Sequence, residues 1–229
     1  YIQQERYDRY DEALAVLREK GLLYPCYCSR TRLQAIGAPH AGEHTVYDGH
    51  CYGSVKMAPP YDQETIVAHP RIEGDGSFTD SVYGRQQDDL PSSCGDFVVR
   101  RADDMYAYQL AVSVDDGSMA ITHVLRGEDL LSSTAQQIWL MKILGYEAPC
   151  YTHVPILIDG DGNRLSKRQQ GITVRASGRT ASMPDDIVPP GLRRRLGPER
   201  RRYSRADLVN ICDFKKLRTE PIVIAGTMK

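Results

Sequence analysis

Apolar residues recur at three- and four-residue steps over residues 4–20, which is the period of a helix with one buried face. Gly21 directly after this stretch is typical of a helix end. Residues 22–28 form a short apolar segment, and Ser29 can cap a brief helix that extends to Ile36. The first helix is therefore predicted to bury Tyr7, Tyr10, Ala13, Leu14 and Leu17.

The middle of the chain carries patterns that predict strands. Candidate strands lie at residues 96–101, 105–114 and 121–125, where apolar and β-branched residues dominate. The Asp-Asp-Gly sequence at 115–117 lies between the last two and is typical of a hairpin turn. We therefore expect these two strands to form a hairpin.

A helix and a further strand are predicted next. The helix begins at Ser132 or Ser133 and runs to Leu144, and Gly145 ends it. Residues 151–158 then form an apolar run typical of a buried strand. A strand, a helix and a strand in this order indicate a parallel α/β unit.

The C-terminal part of the chain differs in pattern and in charge. Prolines interrupt it, and only short helices at 192–196 and 204–214 are predicted. Residues 1–160 carry 13 Lys and Arg against 23 Asp and Glu, whereas residues 161–229 carry 16 against 7. An acidic body with a basic end suits a polyanionic partner. A solvated Arg-rich tail is the alternative.

The cysteines favour a metal site over disulfides. The chain has six cysteines, and a disulfide scaffold of this length would be unusual. No apolar run approaches the roughly 20 residues that cross a bilayer, so we expect no transmembrane helix. A reducing compartment, the cytoplasm, is expected. Three cysteines cluster (Cys26, Cys28 and Cys51), and three stand alone (Cys94, Cys150 and Cys212).

The clustered cysteines have the chemistry of zinc ligands. Cys26, Cys28 and Cys51 supply three thiolates, and a structural zinc site needs four ligands. A phenolate is a rare ligand because the phenol has an ordinary pKa of about 10. Residues 37–62 lack any period, so a metal would hold them together, although buried apolar cysteines are the alternative. The candidates for the fourth ligand are Tyr47, His40, His44 and His50.

A basic loop follows the strand at 151–158. An Asp-Gly-Asp-Gly turn at 159–162 leads into Arg-Leu-Ser-Lys-Arg at 164–168. Basic side chains and a hydroxyl just after a strand can bind a triphosphate. Short basic surface loops are common, so an ordinary surface loop is the alternative.

Two segments, residues 3–30 and 107–168, resemble glutamyl-tRNA synthetases. The Arg-Leu-Ser-Lys-Arg sequence is similar to the second class I signature in its Lys-Leu-Ser-Lys form. Within this class I family, the chain is most similar to the truncated glutamyl-queuosine tRNA(Asp) synthetases. Their zinc pattern resembles Cys-x-Cys followed by Tyr-x-x-x-Cys, and only 61 residues follow Arg168, too few for an anticodon-binding domain.

The resemblance implies an α/β fold, the C-terminal portion of a class I synthetase Rossmann-like catalytic domain. That domain would comprise residues 1–25 and 95–170, with an inserted zinc-containing subdomain at 26–94. Residues 171–229 would form a basic, mostly helical C-terminal region. The implied activity is ATP-dependent activation of glutamate, with ATP and Mg, and its transfer to the queuosine of tRNA(Asp). The implied structural zinc would be held by Cys26, Cys28, Tyr47 and Cys51.

The resemblance also implies roles for single residues. Tyr108 and Arg126 match residues that hold glutamate, and Arg126 would pair with a carboxylate. Without the resemblance, Tyr108 would be interpreted as a core aromatic and Arg126 as part of a surface ion pair.

At the ATP end, Lys167 matches the catalytic lysine that stabilises charge as pyrophosphate leaves. Arg164 and Ser166 would assist it. Asp129 would face the ATP ribose, although an acidic residue near a helix N-terminus is also favoured by the helix dipole.

The chain also departs from the family pattern. No His-Ile-Gly-His-type signature is present, and no histidine precedes His40. Loop 37–46 is longer than the family's zinc loop, and the Arg-rich tail matches poorly. We therefore expect a further segment upstream of Tyr1, and we expect residues 1–229 alone not to activate glutamate. The alternatives are an inactive paralogue that acts as a zinc-containing RNA-binding module, or a fragment of a full-length glutamyl-tRNA synthetase.

Overall fold

A computed structural model gives the structure of the protein and describes most of its first 158 residues. The described residues are 2–28, 32, 47, 49–53, 65–68, 76–87, 89–158, 162, 164, 217 and 219–223. They divide into two compact units. Unit 1 comprises Tyr1–Thr79, Arg85–Val124 and Asp129–Cys150, and unit 2 comprises Asp80–Gly84, Leu125–Glu128 and Tyr151–Lys229.

The described chain contains helices, short 3-10 turns and strands. The helices are α1 (Tyr7–Glu19), α2 (Leu90–Ser93), α3 (Tyr108–Ser118) and α4 (Thr134–Leu144), with 3-10 turns at Gln3–Arg6 and Glu128–Leu130. The strands are β1 (Leu23–Cys26), β2 (Thr65–Ala68), β3 (Phe78–Asp80), β4 (Gly84–Gln86), β5 (Phe97–Arg100), β6 (His123–Gly127), β7 (Cys150–Val154), β8 (Leu157–Ile158) and β9 (Ile222–Val223). Within the described ranges, no helix combines the length and the apolar character needed to cross a membrane.

The strands form three sheets. An antiparallel sheet has the order β1-β2-β5, and a four-stranded sheet has the order β4-β3-β7-β6. In the second sheet, β3 pairs with β7 in parallel at Asp80 and Tyr151. A two-stranded parallel sheet joins β8 to β9. The predicted α/β class is therefore confirmed, with mixed strand directions.

The predicted first helix is confirmed by α1, although Tyr7 is only partly buried. Its buried face carries Tyr10, Leu14 and Leu17, as the period of the sequence requires. The helix ends in a Schellman motif, in which the Leu22 amide donates to the Leu17 carbonyl at 3.0 Å. Gly21 occupies the left-handed position of this motif with φ of +65°, which a residue without Cβ adopts at little cost.

The predicted strand at 105–114 is wrong, because Tyr108–Ser118 forms helix α3. The Asp-Asp-Gly sequence at 115–117 lies inside this helix and forms no hairpin turn. Leu110 and Val114, four residues apart, are both buried, so the apolar residues serve a helical face. Tertiary packing here overrides the local propensity for strand and turn.

The other predicted elements are largely confirmed. Strand β5 matches the prediction at 96–101, and β6 begins two residues after the predicted 121. Helix α4 matches its prediction, with Gly145 at φ of +80°. The predicted strand at 151–158 is divided into β7 and β8 by Pro155, which has no backbone donor. The predicted helices at 29–36, 192–196 and 204–214 lie outside the described elements, as does most of the turn at 159–162.

Strand β2 separates two groups of buried residues in unit 1. Ile66 and Ala68 pack into the main core with helices α1, α3 and α4. Val67, which points to the opposite face, packs with Tyr24, Cys26 and Tyr47. Because both faces of β2 are covered, the cysteine cluster lies against a buried strand.

Candidate active site and metal centre

Three cysteine sulfur atoms converge in unit 1. Cys26 lies at the end of β1, and the Sγ atoms of Cys26, Cys28 and Cys51 all lie within 4.8 Å of one another. The sulfur atoms of Cys28 and Cys51 are 3.6 Å apart. A tetrahedral zinc ion with Zn–S bonds of about 2.3 Å separates its sulfur ligands by about 3.8 Å. The spacing therefore fits a metal ion at the centre of the three sulfurs.

The hydroxyl of Tyr47 completes this cluster. It lies 3.3 Å from the sulfur of Cys26 and 3.1 Å from that of Cys28, and the Cys51 amide donates to it at 3.3 Å. The backbone of Tyr47 is fixed by a parallel bridge to Gly95. The structure therefore brings together all four residues that the sequence resemblance implies as ligands.

Three histidines are the alternative candidates for the fourth ligand. His50 is exposed and is not among the residues whose ligand atoms converge with the three sulfurs in the described chain. His40 and His44 lie outside the described residues. Of the two described candidates, Tyr47 and His50, Tyr47 is thus the one that lies against the sulfurs.

The protonation of the cluster is set by burial and by internal hydrogen bonds. Burial raises the pKa of the Cys26 thiol to about 12 and raises the pKa of the Tyr47 phenol well above its usual value. Burial would also raise the pKa of Cys51, but hydrogen bonds from the Tyr27 backbone and from Tyr47 outweigh it and lower that pKa. Binding of zinc would have to displace the protons of Cys26 and Tyr47, whose pKa values are raised.

A second constellation lies in unit 2 and joins three side chains. The Nε of Arg126, on β6, donates to the Nε2 of His153, on β7, at 2.9 Å. The Nδ1 of the same imidazole lies 2.7 Å from Oδ2 of Asp80 at the end of β3. The side chains of His153 and Asp80 are both 0% exposed. The result is a buried chain of hydrogen bonds that ends at the Arg126 guanidinium.

Backbone groups fix the Asp80 end of this chain. Oδ2 of Asp80 accepts from the His153 amide at 3.0 Å, in addition to the ring nitrogen. Oδ1 accepts from the amides of Val82 and Tyr83, both at 2.9 Å. A carboxylate with this many donors has no freedom to rotate, so it holds the imidazole in a single orientation.

Aromatic packing supports the Arg126 end. The guanidinium lies over the ring of Tyr151, with its carbon 5.1 Å from the ring centroid. The rings of Tyr151 and His153 are stacked at a centroid distance of 6.1 Å. Arg126 therefore contacts both an imidazole acceptor and an aromatic face.

Glu128, two residues after Arg126, joins three parts of unit 2. Its carboxylate accepts from the Tyr83 hydroxyl, and it also accepts from the Ile156 amide at 3.2 Å. The Tyr83 hydroxyl also lies 2.9 Å from the Thr219 carbonyl. Burial, together with the Glu128 carboxylate, raises the pKa of Tyr83 above its usual value. Tyr83 therefore stays a neutral donor.

The remaining predicted site residues lie in different parts of the chain. Tyr108 is the first residue of α3, in unit 1, and is 51% exposed, so it is not a core aromatic. Asp129 lies in the 3-10 turn Glu128–Leu130, and the cap of α4 is Ser133 instead. Arg164 forms a backbone bridge with Ile158. The predicted residues Ser166 and Lys167 lie outside the described residues.

Asp80 and His153 are not among the site residues predicted from the sequence. His153 is only weakly indicated by the sequence. It lies two residues after Tyr151 in an apolar strand, so a polar side chain falls on the buried face of β7. A buried polar side chain requires a hydrogen-bond partner, and that partner was not visible from local spacing.

The chain is similar to known tRNA synthetases. Residues 1–202 match the family described as tRNA synthetases class I (E and Q), catalytic domain. The Glutamyl-Q tRNA(Asp) synthetase of Nitratidesulfovibrio vulgaris is 38% identical over 231 residues, which cover 97% of this chain and 71% of that protein. The Glutamyl-Q tRNA(Asp) synthetase of Geobacter sulfurreducens is 43% identical over 177 residues, covering 76% of this chain and 55% of that protein.

A solved structure supports the same fold. The glutamate tRNA ligase from Elizabethkingia meningosepticum, in complex with its amino acid, matches with a TM-score of 0.68 at 19% identity. The match covers 96% of this chain and 51% of that one. The chain thus spans about half of the solved ligase and 55–71% of these two curated relatives. The family resemblance of the sequence is confirmed, and the chain belongs to the class I tRNA synthetases of the E and Q family, within their catalytic domain.

Proposed function

We propose that this protein activates glutamate with ATP and transfers it to the queuosine of tRNA(Asp). Two curated relatives of 38% and 43% identity carry the name Glutamyl-Q tRNA(Asp) synthetase, which supports this substrate. In the first step, a glutamate carboxylate oxygen attacks the α-phosphorus of ATP and pyrophosphate leaves. In the second step, a hydroxyl of the modified nucleoside attacks the activated carbonyl, loses its proton and displaces AMP.

The observation that carries the proposal is the fixed guanidinium of Arg126. A planar guanidinium recognises a carboxylate through two parallel N–H donors. Because its Nε donates to His153, a bidentate contact with a carboxylate uses the two Nη groups. Arg126 is therefore assigned to a carboxylate of glutamate, and Tyr108 is assigned to the same substrate from the family pattern.

The ATP-binding residues follow β8 along the chain. Arg164 is held to this strand by its bridge with Ile158, so the Arg-Leu-Ser-Lys-Arg sequence starts from an anchored position. Lys167 is assigned as the catalytic residue that meets the charge on the departing pyrophosphate, because charge that grows in the transition state is where a cation accelerates a reaction. Ser166 and Arg164 assist, Asp129 is assigned to the ribose, and Mg accompanies ATP.

A structural zinc ion is part of the proposal. Cys26, Cys28, Cys51 and Tyr47 would hold it, which the sulfur and hydroxyl distances support. The ion would tie the end of β1 to the segment 47–51 and would take no part in the reaction. The basic residues of 161–229 are proposed to contact the phosphates of the tRNA.

The test is a transfer assay with the full-length protein and labelled glutamate. We expect label on tRNA(Asp) that carries queuosine and none on the same tRNA prepared without this modification. The matched control is tRNA(Glu), which should stay unlabelled. Labelling of tRNA(Glu), or equal labelling of both forms of tRNA(Asp), would refute the proposed acceptor.

A further inference from the structure

We propose that Asp80 and His153 are positioning residues that aim the Arg126 guanidinium at the substrate carboxylate through a neutral acceptor. The proposal rests on the glutamate-binding role of Arg126 proposed above. It concerns two buried residues, neither of which would touch substrate. Both act through the hydrogen bond from Arg126 to His153.

The two hydrogen bonds of the His153 ring define its tautomer. The Nε–H of an arginine can only donate, so the His153 Nε2 that receives it at 2.9 Å must carry a lone pair. The ring proton therefore resides on Nδ1, which donates to Asp80 at 2.7 Å. Asp80 stabilises this tautomer because a carboxylate can only accept. Both partners therefore favour the neutral imidazole with its proton on Nδ1.

The charge of the group that orients Arg126 also matters. A carboxylate bound directly to Arg126 would orient the guanidinium but would also offset its charge. The neutral imidazole of His153 orients the guanidinium without offsetting its charge. Because this ring lies between Arg126 and Asp80, the Asp80 carboxylate does not contact the guanidinium through this hydrogen bond. Because attraction falls with distance, this pair offsets the charge of the guanidinium less than a carboxylate in direct contact with it would. This arrangement suits the recognition of a carboxylate better than a direct ion pair does.

Backbone hydrogen bonds and strand pairing fix the position of these side chains. Asp80 is held by the amides of Val82, Tyr83 and His153, and β3 pairs with β7 at Asp80 and Tyr151. Tyr151 in turn lies under the guanidinium of Arg126. The orientation of Arg126 is therefore fixed by strand pairing rather than by loop residues, as a pre-organised substrate contact requires.

The competing explanation is that the Asp80–His153 pair only holds β3, β7 and the turn between β3 and β4 together. Two substitutions of His153 separate the explanations, because each keeps one ring nitrogen's role. In His153→Asn, the amide nitrogen takes the place of Nδ1 and can still donate to Asp80, but the acceptor for Arg126 is lost. In His153→Gln, the carbonyl oxygen takes the place of Nε2 and can still accept from Arg126.

The experiment measures glutamate-dependent ATP–pyrophosphate exchange by the full-length protein, with KM for glutamate and for ATP, kcat, and Tm for each variant. We expect His153→Asn to raise the glutamate KM by about tenfold or more, with the ATP KM nearly unchanged, since a charge-assisted hydrogen bond is lost. His153→Gln should affect the glutamate KM less than His153→Asn does. A purely structural pair predicts the reverse order, since His153→Asn keeps the link to Asp80.

Arg126→Ala is measured in parallel so that the two proposals fail separately. If Arg126→Ala leaves the glutamate KM unchanged, the glutamate-binding role of Arg126 is wrong and the positioning role fails with it. If Arg126→Ala raises the glutamate KM but neither His153 variant does, only the positioning role is overturned. A His153→Asn defect shared equally by both substrates, together with a lower Tm, also overturns it. Long-range ¹H–¹⁵N NMR correlation of the ring gives a readout without activity: the Nδ1–H tautomer is expected, and an Nε2–H tautomer contradicts the proposal.

Discussion

Gly117 in α3 packs directly against the ring of Tyr146, which follows α4. A Cβ placed on Gly117 would lie 2.4 Å from Cγ of Tyr146, closer than any ordinary contact. Tyr146 is itself held by its amide, which donates to the Met141 carbonyl at 2.8 Å. The absence of a side chain at residue 117 therefore allows α3 and α4 to pack closely.

This contact predicts the effect of Gly117→Ala. In an open helix, this change stabilises by about 1 kcal/mol because alanine is the better helix former. Here we expect a loss of about 1–3 kcal/mol, since overpacking forces the ring of Tyr146 aside. Urea unfolding measures it. In a Tyr146→Ala background, the same change should become neutral or stabilising; a stabilising effect in the wild-type background would contradict the packing.

The carboxylate of Asp115 joins α1 to α3, so its removal should be costly. It accepts from Arg6 at 2.6 Å and from Tyr10 at 2.9 Å and 3.0 Å, and its side chain is only 11% exposed. We expect Asp115→Ala to lower the free energy of unfolding by about 2–4 kcal/mol, because Arg6 and Tyr10 lose their partner. The exposed Glu12→Ala serves as control and should change it by no more than about 0.5 kcal/mol. Equal effects of the two variants would show that the network contributes nothing.

The same network predicts how stability depends on alkaline pH. Burial and the hydrogen bond to Asp115 raise the pKa of Tyr10 to about 12. In the unfolded chain the phenol loses its proton at about pH 10, whereas the folded protein keeps it. The contribution of Tyr10 is therefore present below pH 10 and lost as the pH rises towards 12. Denaturant unfolding across this range should show a shallower decline for Tyr10→Phe than for wild type; parallel declines would contradict the assignment.

The cysteine cluster predicts one zinc ion per chain. Elemental analysis of the purified protein should find this ion in wild type and a strong loss in Cys51→Ser, because three ligands hold zinc less tightly than four. Cys150 is exposed and lies outside the cluster, so Cys150→Ser should retain the metal in full. Full zinc occupancy in Cys51→Ser, or none in wild type, would reject the site.

Local patterns were sufficient to predict several elements of the fold. In α1, the spacing of Tyr10, Leu14 and Leu17 defines both the helix and its buried face, and Gly21 marks its end. Helix α3 was not predictable in this way. The Asp-Asp-Gly sequence at 115–117 indicates a turn by itself, but Asp115 is bound by Arg6 and Tyr10, more than 100 positions away, and Gly117 packs against Tyr146.

The same distinction holds for the two constellations. Cys26, Cys28 and Cys51 could be grouped from sequence, because they share a residue type and lie close together along the chain. Asp80 and His153 lie 73 positions apart and meet only because β3 pairs with β7. Arg126 could be singled out by resemblance alone, while the reason for its fixed orientation required the sheet.

The most direct test of the proposed glutamate activation is ATP–pyrophosphate exchange by the full-length protein without tRNA, measured as a function of glutamate for wild type, Arg126→Ala and Lys167→Ala. We expect exchange that depends on glutamate. Arg126→Ala should raise the glutamate KM by roughly tenfold to a hundredfold, as the loss of a charge-assisted contact implies. Lys167→Ala should lower kcat and leave the glutamate KM nearly unchanged, because its charge acts in the transition state. Exchange that is indifferent to glutamate, a fully active Lys167→Ala, or the same KM defect in both variants would contradict the account.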